Sequence, residues 1–231
     1  MFTRDIKHWI LSLKDEEIFL AKEAYQKHFK DMKEATFYQL LARLNNEKYI
    51  GKIAKGLYYK PSQDFPSNLP STEKLLNFFT NKYKAGMIVG TQLFKDLNLV
   101  EITSDTYQIY TNLLEIKTVR NMSNLQIQYV DIDYKNESLR NIIETLEVIE
   151  HIDEYENVKS ENLFSFLKEH SKNYNEDDLF RVLSKKSYKK RVIATLKEIL
   201  DYFNVENNLS RVLNTASRYS FPEKIKESLK I

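Results

Sequence analysis

Four hydrogen-bonding side chains recur on one side of a predicted helix near the start of the chain. They are Thr36, Gln39, Arg43 and Asn46, and Lys33 begins the same helix. Side chains of these types form hydrogen bonds with the edges of base pairs in the major groove of DNA. The chemistry that they suggest is the reading of a nucleotide sequence.

A small basic hairpin is predicted directly after this helix. Two β-prone runs turn around Lys55 and Gly56, and Pro61 ends the second run because proline has no N–H for a strand ladder. Between positions 30 and 60 there are seven basic and three acidic residues, whereas the whole chain has a net charge of only +2. We therefore expect Lys52, Lys55 and Lys60 to contact phosphates.

Two glycines and two tyrosines of the hairpin carry further expectations. Gly51 and Gly56 have no side chain, which would let the backbone come close to a phosphate. Strand alternation predicts that only one of Tyr58 and Tyr59 points inward.

The elements before the hairpin are predicted from apolar spacing. Thr3 is a suitable cap for a first helix with core residues Ile6, Trp9, Ile10 and Leu13. A short strand is expected at 18–20, a second helix at 21–29, and a third helix at 33–46 that buries Phe37, Leu40, Leu41 and Leu44. A helix that runs into a basic hairpin is typical of a winged helix-turn-helix.

Prolines at 61, 66 and 70 predict the domain boundary. The expected organisation is a winged helix-turn-helix at 1–62, a linker at 63–70 and a mixed domain at 71–231. In that second domain we expect strands at 106–111, 115–119 and 125–134, the last with a bulge near Tyr129. Apolar stripes at 139–149 and 192–203 predict a helical C-terminal part, so the fold class is α/β (α+β).

Composition excludes several classes of protein. The chain has 231 residues, 42% of them hydrophobic, and no cysteine, which excludes disulfides and thiolate metal sites. The N-terminal residues MFTRDIKHW lack the apolar run of a signal peptide, and no run approaches the length of a membrane span. We expect a cytoplasmic protein with no membrane partner.

A second basic run lies near the predicted C-terminal helices. It consists of Lys185, Lys186, Lys189, Lys190 and Arg191. Cations at the start of a helix oppose its dipole, so local stability does not account for the run. A surface for an acidic partner or another anion such as RNA, and an ordinary solvated face, both remain open.

Residues that could support catalysis or metal binding are sparse. Asp131 and Asp133 would lie on one face of a strand, as the metal-binding carboxylates of nucleotidyltransferases do, but no glycine follows Gly90 to form a triphosphate loop. The four histidines are isolated from other ligands, and no G-x-S-x-G motif is present. We expect no catalytic residues, no metal and no cofactor.

Two motifs together resemble a known family. The segment RLNNEKYIGKIAKGLYYKP at 43–61 is followed by the proline-spaced connector and by GMIVGTQLFKDLNL at 86–99. This order resembles the AbiEi-type antitoxins of type IV toxin–antitoxin systems, which act in abortive infection and phage defence. The sequence departs from the family pattern at Asn98, where relatives usually have glycine, and 15–29 does not align.

The resemblance implies a protein with two roles. Its winged helix would bind operator DNA and repress its own operon, and its second domain would neutralise a nucleotidyltransferase-type toxin, with or without direct contact. A stand-alone transcriptional regulator with a ligand-sensing or dimerisation domain is the alternative, and a divergent nucleotidyltransferase that uses Asp131 and Asp133 is the third. The oligomeric state stays open.

Overall fold

A computed structural model describes residues 2–64, 69–113, 120–122, 124–214 and 217–230. By its internal contacts the chain divides into two units, Met1–Tyr83 and Lys84–Ile231. The segment 63–70, which the prolines predict to be a linker, belongs to the first unit, and 65–68 lie outside the described residues.

Within the described residues, four α-helices belong to the first unit. They are α1 (Phe2–Ser12), α2 (Ala21–Ala24), α3 (Glu34–Asn46) and α4 (Thr72–Asn77). Both α2 and α4 continue into a π-helical turn, at Tyr25–Phe29 and Phe78–Lys82 respectively. The predicted spacing is confirmed in α3, where Phe37, Leu41 and Leu44 are fully buried while Leu40 is half-buried.

The described part of the first unit also contains three short strands. They are β1 (Ile18–Leu20), β2 (Gly51–Ala54) and β3 (Leu57–Tyr59), which pair antiparallel in the order β1–β3–β2. The register shifts between Lys52 and Ala54, and Gly56 forms the turn with a φ of 77°, a conformation that glycine adopts without strain. The element order up to Tyr59 is therefore α1–β1–α2–α3–β2–β3.

The prediction that only one of Tyr58 and Tyr59 points inward is wrong, because both rings are buried. Tyr58 stacks on Phe19 with ring centroids 6.0 Å apart. Tyr59 lies against Gly51, where an added Cβ would overlap its ring. The two tyrosines do alternate between faces of the sheet, but both faces are covered.

As far as the chain is described, the sheet of the second unit has four strands, β4 (Gly86–Val89), β5 (Tyr107–Thr111), β6 (Arg120–Met122) and β7 (Leu125–Tyr129). Their order is β4–β5–β7–β6, and β5 pairs parallel with β7 while the other pairs are antiparallel. The strand predicted at 106–111 is confirmed as β5, whereas the strand predicted at 115–119 lies wholly outside the described residues.

The last predicted strand is shorter than expected. A strand at 125–134 with a bulge near Tyr129 was indicated by the change of apolar parity, but β7 ends at Tyr129. Val130, Ile132 and Tyr134 are nevertheless buried, because the chain continues along the core with a tight turn in which Ile132 N donates to Val130 O. The predicted bulge is therefore wrong, because β7 ends at Tyr129 instead.

Helices form the rest of the second unit. They are α5 (Thr91–Asp96), α6 (Glu137–His151), α7 (Ser160–Lys172), α8 (Glu176–Lys185), α9 (Lys190–Tyr202) and α10 (Glu223–Leu229). Asn136 and Asn175 cap α6 and α8 by accepting backbone N–H groups. The apolar stripes predicted for α6 and α9 are buried together in one core, which confirms a mixed α/β fold with small sheets and a helical C-terminal part.

Among the described residues, no helix combines the length and the apolar character needed to cross a membrane.

Candidate nucleic-acid interface

Helix α3 turns its polar side away from the core of the first unit. Gln39, Arg43 and Asn46 are exposed and Thr36 is half-exposed, while Phe37 and Leu41 anchor the opposite side. Lys33 precedes the helix in an extended conformation and is exposed. The side chains that the sequence predicts to read bases are thus all accessible on one helix.

The hairpin presents two of its three predicted phosphate ligands. Lys52 on β2 and Lys55 in the turn are exposed, and neither forms an ion pair with another described residue. Gly51 has a packing role beneath the Tyr59 ring, so its predicted role in phosphate approach is replaced by a structural one. Gly56 has open space around it, because a Cβ added there would meet no atom within 4 Å.

Lys60 has a structural role instead of the predicted phosphate contact. Only 12% of its side chain is exposed, and its ammonium group lies 3.1 Å from the carboxylate of Asp15. It also donates to the carbonyl of Leu13 at 2.7 Å, near the C-terminal end of α1. Because these partners lie more than forty residues away in the sequence, no local pattern could reveal them.

A cluster that the sequence did not predict lies at the C-terminal end of α3. The carboxylate of Glu47 accepts from Arg43 Nε through Oε1 and from Lys7 Nζ through Oε2, each at 3.1 Å. Lys7 Nζ also lies 3.9 Å from the centroid of the exposed Tyr49 ring. The hydrogen bond from Lys7 lowers the pKa of Glu47, and the same bond raises the pKa of Lys7. The i,i+4 spacing of Arg43 and Glu47 was the one signal in the sequence.

The second helix adds cations that were also missed. Lys22, Lys27 and Lys30 are exposed on α2 and its π-helical turn, and no ion pair involves them within the described ranges. The neighbouring carboxylate of Glu23 accepts a hydrogen bond, 2.6 Å long, from the hydroxyl of Tyr83. Tyr83 belongs to the same unit. The first unit therefore has exposed lysines on the α2 segment as well as on the hairpin.

In the second unit, the predicted basic run is divided among several partners. Lys185 ends α8 and pairs with Asp131 at 2.6 Å, while Lys190 begins α9 and donates to Val212 O. Arg191 donates to Glu150 O. The run therefore does not form one open cationic surface at a helix start. Within the described structure, Lys189 is the exposed member of the run whose side chain has neither an ion pair nor a hydrogen bond.

The fifth member of the run, Lys186, holds a buried carboxylate. Glu147 on α6 is 2% exposed, accepts from the Tyr188 hydroxyl at 2.8 Å and lies 3.3 Å from Lys186 Nζ. Burial, and then the charge of Glu147, raise the pKa of Tyr188 and of nearby Tyr110. These contacts fix the α8–α9 connection to α6, which is a structural role.

The paired aspartates do not form the strand face that a nucleotidyltransferase would need. Asp131 and Asp133 both follow β7, where Asp131 pairs with Lys185 and Asp133 accepts from the backbone N–H of Lys135. Within the described ranges, no group of three or more His, Asp or Glu residues is placed to hold a metal ion.

Comparisons with known proteins give remote similarity to solved structures. No protein-family model and no curated protein matches the chain. Among solved structures it is similar to the RV2827C protein from Mycobacterium tuberculosis, with 10% identity and a TM-score of 0.37 over 99% of this chain and 80% of that one. At this TM-score the similarity carries no argument about fold or function.

Proposed function

We propose that the first unit is a winged-helix domain that binds DNA in a sequence-specific manner. One observation carries this proposal: the polar side of α3 and the lysines of the β2–β3 hairpin are exposed in a unit with the element order α1–β1–α2–α3–β2–β3. The sheet order β1–β3–β2 supports the proposal. Strand β2, which follows α3 in the chain, lies at one edge of the sheet, so the hairpin is at that edge.

The geometry suits the major groove of DNA. An α-helix with its side chains is about 10–12 Å across, and the groove is about 12 Å wide. Gln39, Arg43 and Asn46 would reach base edges from α3, where Ala35 and Ala42 are small enough for close approach. This arrangement is that of a recognition helix.

Phosphate contacts would come from residues around the helix. We assign them to Lys33 at its start, to Lys52 and Lys55 on the hairpin, and to Lys27 and Lys30 on the preceding helical segment. Lys60 is left out because Asp15 and the end of α1 occupy its ammonium group. Contacts of this kind fix the register of a protein on the duplex.

The biological role proposed for this binding is autorepression by an antitoxin. It follows the resemblance of 43–61 and 86–99 to AbiEi-type antitoxins, in which the second domain counteracts a nucleotidyltransferase-type toxin. This role expects a nucleotidyltransferase gene beside the gene of this protein. Co-expression of the two should restore growth that the neighbouring gene alone arrests, and failure of that rescue would count against the antitoxin role.

DNA binding is tested by fluorescence anisotropy of the full-length protein on two duplexes. One carries the DNA upstream of its own gene and the other the same bases in scrambled order, each measured over a salt series. We expect clear preference for the upstream duplex and a salt slope of several units, because each neutralised phosphate adds about 0.9 to that slope. Equal, weak binding to both duplexes would contradict sequence-specific recognition.

A further inference from the structure

Glu47 occupies a position that opposes both helix stability and DNA binding. It follows α3 directly, at the end where the helix dipole favours cations and disfavours carboxylates. It also adjoins Arg43 and Asn46, two of the proposed base-reading residues. An acid at this position repels phosphate, so its presence requires a different explanation.

The contacts of Glu47 show how the carboxylate is held. Lys7 on α1 binds Oε2 and Arg43 on α3 binds Oε1, each at 3.1 Å. Lys7 is itself held over the ring of Tyr49. Because the two cations use different oxygens, Arg43 can leave Glu47 while Lys7 continues to neutralise and position it.

We propose that Glu47 restrains Arg43 from binding phosphates, so that Arg43 leaves the carboxylate only for a matching base edge. The inference rests on the proposed DNA binding. A single phosphate can also accept two bonds from a guanidinium group, but it only exchanges one anion for another and so adds little to the charge pairing of Arg43. A guanine edge offers two acceptors in the plane of the guanidinium group, which Glu47 does not supply through Nε alone. Glu47 is thus a specificity-determining residue that reduces non-specific affinity.

The test compares wild type with Glu47→Gln on the upstream and scrambled duplexes across a salt series. Glutamine keeps the size of the side chain and one acceptor oxygen, replaces the other oxygen by an NH2 donor and removes the charge. We expect affinity for the scrambled duplex to rise about fivefold and its salt slope to steepen by about one, as for one added phosphate contact. Affinity for the upstream duplex should change less, so the ratio of the two affinities falls.

Two controls separate this effect from general electrostatics. Asp5→Asn removes an exposed carboxylate from α1 of the same unit and should leave the affinity ratio unchanged. In an Arg43→Ala background, Glu47→Gln should also leave the ratio unchanged, because no arginine remains to be restrained. Thermal unfolding of each variant checks that the first unit stays folded.

The outcomes distinguish the inference from the function on which it rests. A wild-type protein that does not discriminate between the duplexes would overturn the proposed DNA recognition itself. A wild type that discriminates, together with an unchanged ratio in Glu47→Gln or an equal change in the Arg43→Ala background, would overturn only the role of Glu47.

Discussion

At the scale of single residues, the structure separates cations that look alike in the sequence. Lys55 and Lys60 are five residues apart in one basic segment, yet Lys55 is exposed in a turn and Lys60 is held by Asp15 and two carbonyl groups. Arg43 is accessible but paired with Glu47. The partner of each charge, more than the charge itself, decides its role.

Replacement of Arg43 by alanine should weaken binding to the upstream duplex by about 1–3 kcal/mol and should change scrambled-duplex binding little. The reason is that Arg43 would read a base edge in the upstream duplex, whereas on the scrambled duplex Glu47 would restrain it from binding phosphates. Anisotropy titrations measure both affinities. Arg218→Ala, which removes an exposed arginine of the second unit, is the matched control, and equal losses on both duplexes would contradict base readout.

Lys55→Ala should reduce the salt slope by about one on both duplexes without changing stability, since an exposed lysine in a turn contributes mainly a phosphate contact. The measurement is the dependence of affinity on salt concentration. An unchanged slope would remove Lys55 from the interface.

Lys60→Ala should instead destabilise the first unit by about 1–3 kcal/mol, because it removes charge-assisted hydrogen bonds from a largely buried ammonium group. Trp9, the single tryptophan of the chain, lies in that unit and reports its unfolding in urea. A stability equal to that of the wild type would contradict the structural role.

At the scale of elements, the hairpin depends on a glycine beneath an aromatic ring. Strands β2 and β3 pair Gly51 with Tyr59, and the ring of Tyr59 covers the position that a Cβ at residue 51 would occupy. A substitution at Gly51 therefore displaces a buried ring, and with it the lysines on the hairpin.

Gly51→Ala should destabilise the first unit by about 1–3 kcal/mol through overpacking. Urea unfolding followed by Trp9 fluorescence measures the loss. In a Tyr59→Leu background the same substitution should cost much less, because the ring that it displaces is gone. Equal costs in the two backgrounds would contradict the packing role of Gly51.

Helices were more predictable from the sequence than strands. The i, i+3, i+4, i+7 spacing placed α3 and α6 well, because burial on one side of a helix is written in the local order of residues. The end of β7 could not be predicted, since the apolar alternation continues through Ile132 after strand pairing stops. At Asn98, where the family that the sequence resembles usually has glycine, φ is 55° and Leu99 N donates to Phe94 O, which is a helix ending that asparagine also tolerates.

Site residues were predictable only where exposure follows from helix geometry. The polar side of α3 is the same in the prediction and in the structure, and it carries Thr36, Gln39, Arg43 and Asn46. The clustering of Lys7 with Glu47, and the removal of Lys60 from the surface, depend on contacts between elements that are distant in sequence.

At the scale of the whole molecule, the first unit extends beyond the predicted boundary at residue 62. Helix α4 and its π-helical turn belong to it, with Lys74 paired to Glu16 and the Tyr83 hydroxyl bound to Glu23. The buried residues Leu75, Phe78 and Phe79 in this segment add apolar area that a shorter fragment would lack.

A fragment of residues 1–83 should therefore unfold cooperatively, whereas a fragment of 1–62 should be markedly less stable. Urea unfolding followed by Trp9 fluorescence compares the two. The longer fragment should also keep most of the preference for the upstream duplex. Equal stability of the two fragments would contradict a structural role of α4 in the first unit.

The second unit should lose stability in alkaline solution. Burial raises the pKa of Tyr110, Tyr134 and Tyr188, so these phenols stay neutral in the folded state but ionise near pH 10 when the chain unfolds. Their contribution is complete below pH 10 and falls above it by about 1.4 kcal/mol per pH unit for each group. Urea unfolding by circular dichroism at pH 8 to 11 measures the slope, and Tyr188→Phe should make it shallower.

The contact of Gly51 with Tyr59 also constrains the order in which mutations can accumulate at these two positions. A mutation that enlarges residue 51 meets the ring at once, whereas a mutation that first shortens residue 59 leaves room for a later change at 51. In sequences that descend from this chain, we therefore expect residue 59 to be substituted before residue 51. Descendant sequences that combine a side chain at position 51 with a small residue at position 59 would be evidence for this order.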